Sequence, residues 1–280
     1  MGGSDRLPAA EPCRQGLGLA GRTTGAPGGT VEPVATIHGT GSDEHAWQQC
    51  DWLWKQPGIG LADLCGDAAR IVVVAPHPDD EILGCGGLLC GAVERGVAVQ
   101  VVAVTDGEAC YPDERWWTPQ RLRNARREEL RAALAELAIS ADAICHLGID
   151  DGAVSAHEQE LEGWLQRTLR DDDLVLAPWR FDGHPDHEAA GRAACRAAHA
   201  AGCARLEYPV WGWHWLEPAH AHMAWEAPKV LDISNAIDRK ARAIARFRTQ
   251  IGTVPRLRAE PILPAHILAR FSRKNEVFLA

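Results

Sequence analysis

Four short apolar runs, each followed by a helical stretch, constrain the fold more than any other feature of this 280-residue chain. Ile71-Val-Val-Val-Ala75 is β-branched and uniformly apolar, the pattern of a strand buried on both faces. Val97 to Thr105, Ala143 to Leu147 and Leu174 to Ala177 repeat that character. Between and after them lie helical stretches at Pro78–Arg95, Gln120–Ala138, His157–Arg170 and Pro185–Ala201. Steady strand–helix alternation predicts βαβ units, hence an α/β, Rossmann-like three-layer sandwich with a mostly parallel sheet and helices on both faces. Residues 1–40, rich in Gly, Pro, Thr and Ala, read as a disordered or loosely packed tail. Residues 41–280 read as one domain with its core at about 70–201. Within it, the stretch from Asp43 to Trp54 reads as one short amphipathic helix docked by Trp47 and Leu53 or Trp54. Asn235–Thr249 is a further helix and Glu276–Leu279 an edge strand.

Bulk chemistry excludes several classes. The net charge of −9, with no concentrated run of Lys and Arg, argues against a nucleic-acid binder. The basic stretch Arg121–Arg131 is broken by Glu128 and Glu129 and reads as a solvated helix face. No apolar run nears the roughly 20 residues that span a bilayer. The nine cysteines show no C-x-x-C pair, and their odd number and scatter suit reduced thiols. A protein without a membrane span, located in the cytoplasm, is expected.

Ligand-type residues cluster at two places where open α/β sheets build sites, the carboxyl ends of strands. Directly after the first run comes His77-Pro-Asp79-Asp80-Glu81, with Pro78 suited to open a helix, His77 near its cap and Asp80 three positions in. After the fourth run comes His184-Pro-Asp186-His187-Glu188, with the same layout. A hydrolytic zinc takes three ligands from His and Asp or Glu and keeps one position for water. His77, Asp80 and His187 supply that set. Asp79 beside them can accept a proton from water, and His184 can stabilise an oxyanion or donate to a leaving amine. Either motif alone could be a capped helix start; the pair in one context is hard to read that way.

The pair His77-Pro-Asp-Asp-Glu81 and His184-Pro-Asp-His187 resembles the PIG-L/LmbE-like de-N-acetylases over roughly Arg70–Ala201. Thr105-Asp-Gly-Glu108, Arg126–Glu129 and Asp151-Gly152 resemble the same family. That resemblance implies one catalytic zinc ion (Zn2+) per chain and hydrolysis of an N-acetyl group on an amino sugar or glycoconjugate. His77, Asp80 and His187 would be its ligands, Asp79 the general base and His184 the partner of the tetrahedral intermediate. The N-terminal extension of about seventy residues departs from the common core. Asp106, Arg126, Asp151 and Trp117 are candidate substrate contacts; the structural alternatives are a turn for Asp106 and Asp151 and an Arg126–Glu129 pair, while Trp116-Trp117 lies in a loop that could cover the site. Trp211, Trp213 and Trp215 alternate as on one face of a strand packed on the core. Two rival readings are a metal phosphoesterase, with Asp182 and Asp186 as bridging carboxylates, and a non-catalytic Rossmann-like binding protein. The second is weakened by a first strand–helix turn that lacks G-x-G-x-x-G.

Overall fold

The computed structural model describes residues 39–280; the expected N-terminal tail lies, but for its last two residues, outside the described residues. In chain order the elements begin with α1 (Glu44–Gln48), α2 (Asp51–Trp54), β1 (Gly58–Ile59), α3 (Leu61–Cys65), β2 (Arg70–Ala75), α4 (Asp80–Glu94) and β3 (Ala98–Ala103). They continue with α5 (Pro119–Glu136), β4 (Ile144–His146), α6 (Glu158–Thr168), β5 (Asp173–Pro178), α7 (Pro185–Ala201) and β6 (Ala204–Tyr208). The C-terminal part adds α8 (Gly212–Trp215), β7 (Lys229–Asp232), α9 (Ile237–Ile244), α10 (Ala265–Leu268) and β8 (Asn275–Phe278).

The main sheet runs β4-β3-β2-β5-β6 and is parallel throughout. Both its faces are covered, which is why the strands are apolar without alternation. Ile71 and Val73 of β2 face a core shared with α4 and α5, through Leu88, Leu89, Leu130 and Leu134. Val72 and Val74 face the opposite core, with Leu161 and Leu165 of α6 and the alanine-lined face of α7. The strand order reverses between β2 and β5, so the loops after these two strands open a crevice between them, where ligands of doubly wound sheets bind. Both histidine motifs follow those two strands.

Several boundaries differ from expectation. The Asp43–Trp54 stretch is two helices broken at Cys50, although Trp47 and Leu53 are fully buried as anticipated. Helix α4 begins at Asp80, not Pro78, and its cap is Asp79 rather than His77. Trp211–Trp215 does not form a strand: Gly212–Trp215 is a helical turn, with Trp213 buried and Trp215 46% exposed. The C-terminal strand β8 pairs antiparallel with β7, and β7 pairs parallel with β1, making a second sheet of three strands. A lone bridge, Glu207 to Leu279, ties the end of the chain to β6. This second sheet joins residues 58–59 to the C-terminal part, so the N-terminal helices are integral to the body. Trp47 reinforces the join, with its ring stacked on Trp225 at 5.4 Å and edge-on to Trp213 at 4.8 Å. Among the described residues no helix is long and apolar enough to cross a membrane. Cys50, Cys65, Cys85, Cys90, Cys110, Cys195 and Cys203 are free thiols.

Candidate metal centre

The two motifs meet. His77 Nδ1 lies 3.3 Å from His187 Nε2 and 3.4 Å from Asp80 Oδ2, and His187 Nε2 lies 3.3 Å from Asp80 Oδ2. Three ligand atoms, from segments over a hundred residues apart, thus form a nearly equilateral triangle. Ligands held tetrahedrally at about 2.0–2.1 Å from one divalent ion are separated by roughly 3.3–3.4 Å, so this donor set fits such an ion. The ring orientations fit as well. The far nitrogen of His77, Nε2, faces Asp151 Oδ1 at 3.1 Å and Asp186 Oδ2 at 3.3 Å. The far nitrogen of His187, Nδ1, faces Asp182 Oδ2 at 2.9 Å. Carboxylates on those outer N–H groups fix each ring's tautomer and aim its free lone pair inward.

The supporting carboxylates are themselves anchored. Asp151 accepts from the Ala109 N–H, and Asp186 from the N–H groups of Gly152 and Val154. Asp182 accepts from three successive N–H groups, Val210, Trp211 and Gly212, and is fully buried. The charge pattern follows. Burial alone would depress the basicity of His77 and His187; carboxylates overturn it, Asp151, Asp186 and Asp80 for His77, Asp80 and Asp182 for His187. Asp80 is likewise pulled down to about 2, because the two imidazoles outweigh its burial.

Asp79 sits next to the triangle in a backbone conformation, φ 142°, that residues with a Cβ avoid. Burial pushes its carboxyl up to about 7, against the pull of the Arg126 guanidinium, 3.1 Å away. Arg126 is buried and also donates to the carbonyls of Pro78 and Gly107. Gly107 makes its passage possible: a Cβ there would lie 2.0 Å from Arg126 Nη1. His184 caps α7, and its Nδ1 accepts the N–H of Asp186 at 3.2 Å, which leaves the proton on Nε2. Burial, with His187 and His77 nearby, holds His184 down to about 3, a neutral imidazole. Its ring centre is 4.9 Å from those of both other histidines. His77, His184 and Asp186 also form a group of metal-ligand spacing, but both Asp186 oxygens are taken by backbone N–H groups.

Two of the four candidate substrate contacts, Asp151 and Arg126, lie beside the triangle, each bonded to a residue of the site. Asp151 supports His77, and Arg126 braces Asp79 rather than pairing with Glu129, which bonds Thr249 instead. Asp106 is buried in a two-pronged pair with Arg127. Trp117 donates its indole N–H to the Pro255 carbonyl, joining two loops. A cavity of about 350 Å³ is lined by Cys110, Tyr111, Pro112, Arg258 and Ile262 among others. The supporting roles of Asp151, Asp182 and Asp186 escaped sequence reasoning; the one available signal was that each follows a strand of the same sheet edge, Asp151 and Asp182 in loops and Asp186 in the first turn of α7.

Fold and cluster together define a doubly wound α/β protein with a metal-ligating centre at its switch point. Residues 72–198 match the family described as PIG-L, GlcNAc-PI de-N-acetylase. It is 28% identical over 187 residues to the probable N-acetyl-alpha-D-glucosaminyl L-malate deacetylase 2 of Bacillus subtilis (strain 168), covering 65% of this chain and 83% of that one. Against the diacetylchitobiose deacetylase of Thermococcus kodakarensis it is 24% identical over 193 residues, covering 66% and 71%. A conserved protein from Thermus thermophilus superposes with a TM-score of 0.54 at 26% identity, over 75% of this chain and 93% of that one. The family is metal-dependent.

Proposed function

We propose that this chain is a zinc-dependent hydrolase that removes the acetyl group from the nitrogen of an N-acetylated amino sugar or its glycoconjugate, releasing acetate and a free amine. The triangle of His77 Nδ1, Asp80 Oδ2 and His187 Nε2 carries this reading, because its edges suit a tetrahedral zinc with one position free. The names of the Bacillus and Thermococcus relatives, both deacetylases of N-acetylglucosamine-type compounds, support the substrate class. Residues 41–280 act as one catalytic unit in this reading, because Trp47 and β1 are built into the body.

His77, Asp80 and His187 would hold the zinc, which supplies Lewis-acid polarisation of the acetyl carbonyl and lowers the pKa of water. Asp79, held in place by Arg126, takes a proton from the attacking water. His184 donates its Nε2–H to the carbonyl oxygen as negative charge develops there. The C–N bond then breaks, and the proton held by Asp79 passes to the departing nitrogen. Asp182 and Asp186, which could have bridged a second ion in a phosphoesterase, have their oxygens engaged by backbone N–H groups, so a one-metal amide hydrolase is the better fit.

The test is acetate release from a panel of N-acetylhexosamine conjugates, measured before chelation, after it, and after zinc is restored. Zinc-restorable release from at least one conjugate is expected. A zinc-loaded protein that releases acetate from none of them would sink the proposal.

A further inference from the structure

Among the described residues four large apolar side chains are exposed: Trp116, Phe181, Trp215 and Met223. Trp116 is covered on its faces by Arg121 and Arg256, each guanidinium 3.9 Å from the ring centre. Phe181 and Trp215 differ, because they belong to one aromatic assembly beside the metal centre. Trp179 links them, stacked on Trp215 at 5.9 Å and 9° and edge-on to Phe181 at 5.9 Å and 75°. Phe181 is 60% exposed and lies three residues before His184.

The assembly is rigid and adjoins the site directly. Trp215 donates its indole N–H to the Asp182 carbonyl at 2.8 Å, and its ring lies over Gly183, the residue before His184. Any side chain at Gly183 would collide with that ring: a Cβ would stand 2.6 Å from Trp215 Nε1, at a φ of +85°. The carboxylate of Asp182, meanwhile, fixes the backbone that leads into α8. The same residue therefore orients the metal ligand His187 and the aromatic surface. Two exposed aromatic rings, both packed on the buried Trp179 next to a reaction centre, make a binding surface.

We infer that Phe181 and Trp215, backed by the buried Trp179, form a subsite for the saccharide unit joined to the N-acetylated sugar, stacking against the C–H face of its ring. A pyranose has an apolar face of C–H bonds and a rim of hydroxyls. Laid on an aromatic surface it buries the face, sets partly positive C–H groups on the negative π-cloud, and leaves the rim hydrated. The inference deepens the deacetylase reading and rests on it: the acetylated sugar occupies the metal centre and its neighbour the aromatic surface.

The experiment compares kcat/KM for N,N'-diacetylchitobiose with that for N-acetylglucosamine in wild-type protein, Phe181→Ala and Phe181→Tyr. Phe181→Ala should lower the disaccharide-to-monosaccharide ratio roughly tenfold, chiefly through KM of the disaccharide, and Phe181→Tyr should restore it. An unchanged ratio in Phe181→Ala overturns the subsite while leaving the deacetylase reading intact. Tryptophan fluorescence titrated with N,N'-diacetylchitobiose decides independently of turnover. If wild-type protein cleaves neither sugar, the deacetylase reading is decided by the wider panel and the subsite by the titration: saturable quenching weakened in Phe181→Ala supports the aromatic subsite, and its absence overturns it.

Discussion

Asp79 is strained, buried and ionically braced at once, and each condition has a local cause. Its positive φ costs on the order of 1–3 kcal/mol, and such strain persists only where surrounding contacts enforce it. Here the enforcement is Arg126, whose guanidinium fixes both the carboxylate and the preceding carbonyl of Pro78. Asp79→Asn keeps the shape and removes the proton acceptor, so kcat should fall by about 10²–10⁴ while metal content, measured by elemental analysis, stays at the wild-type level. A variant with normal turnover would remove Asp79 from the role of base. Asp182→Asn tests the opposite kind of residue, one that touches no substrate. Its weaker acceptor should loosen the hold on His187 and raise the metal dissociation constant about 10–100-fold in chelator competition, with an unaltered circular dichroism spectrum. At this scale the sequence was most legible where ligands are local: two five-residue motifs contained His77, Asp79, Asp80, His184 and His187. Asp151 and Asp182, in loops, and Asp186, in the first turn of α7, support those rings from positions that depend on the packing of whole strands, so their partners could not be read along the chain.

Helix α4 shows the corresponding limit for elements. Its apolar run and Gly84, Gly86 and Gly87 were plain in the sequence, but its continuity was not, since the helix is broken at Cys85. The break frees backbone groups inside the core, where unpaired polar groups are costly. Lys240 of α9 donates to the Leu83 carbonyl, and Glu276 of β8 accepts from the N–H groups of Gly87 and Leu88. Lys240 and Glu276 also pair with each other at 2.7 Å, both buried. These partners come from over 150 residues along the chain, beyond what periodicity can register. Lys240→Met would leave the Glu276 charge buried without its cation. The expected loss is about 3–5 kcal/mol, read as a lower denaturant midpoint in urea unfolding. A midpoint within error of wild type would show that the pair is not what holds the broken helix.

Across the whole molecule, four strands of the parallel sheet and their helix layers were legible because those strands are apolar runs and every crossover contains a helix; the edge strand β6, Ala204-Arg-Leu-Glu-Tyr208, carries two charges and was not read. The three-stranded sheet was hidden, since β1 has two residues and its partners lie near the other end of the chain. Uniform apolarity has a further consequence at the seam between β2 and β5. Strands that are greasy on both sides give little penalty for sliding past one another, because valine meets leucine in either alignment. One end of that seam is pinned by Arg70 on Asp173, bonded twice at 2.8 and 2.6 Å. At the other end His77 and Asp80 meet His187, and a slide of one residue displaces them by about 3.3 Å, a whole edge of the triangle of donor atoms. Refolding with zinc should therefore recover more native protein than refolding with chelator, as seen by near-ultraviolet circular dichroism, and equal yields would contradict this. If His77, Asp80 and His187 hold the ion as proposed, its binding proofreads assembly: a chain whose two central strands are out of alignment has nowhere to put it.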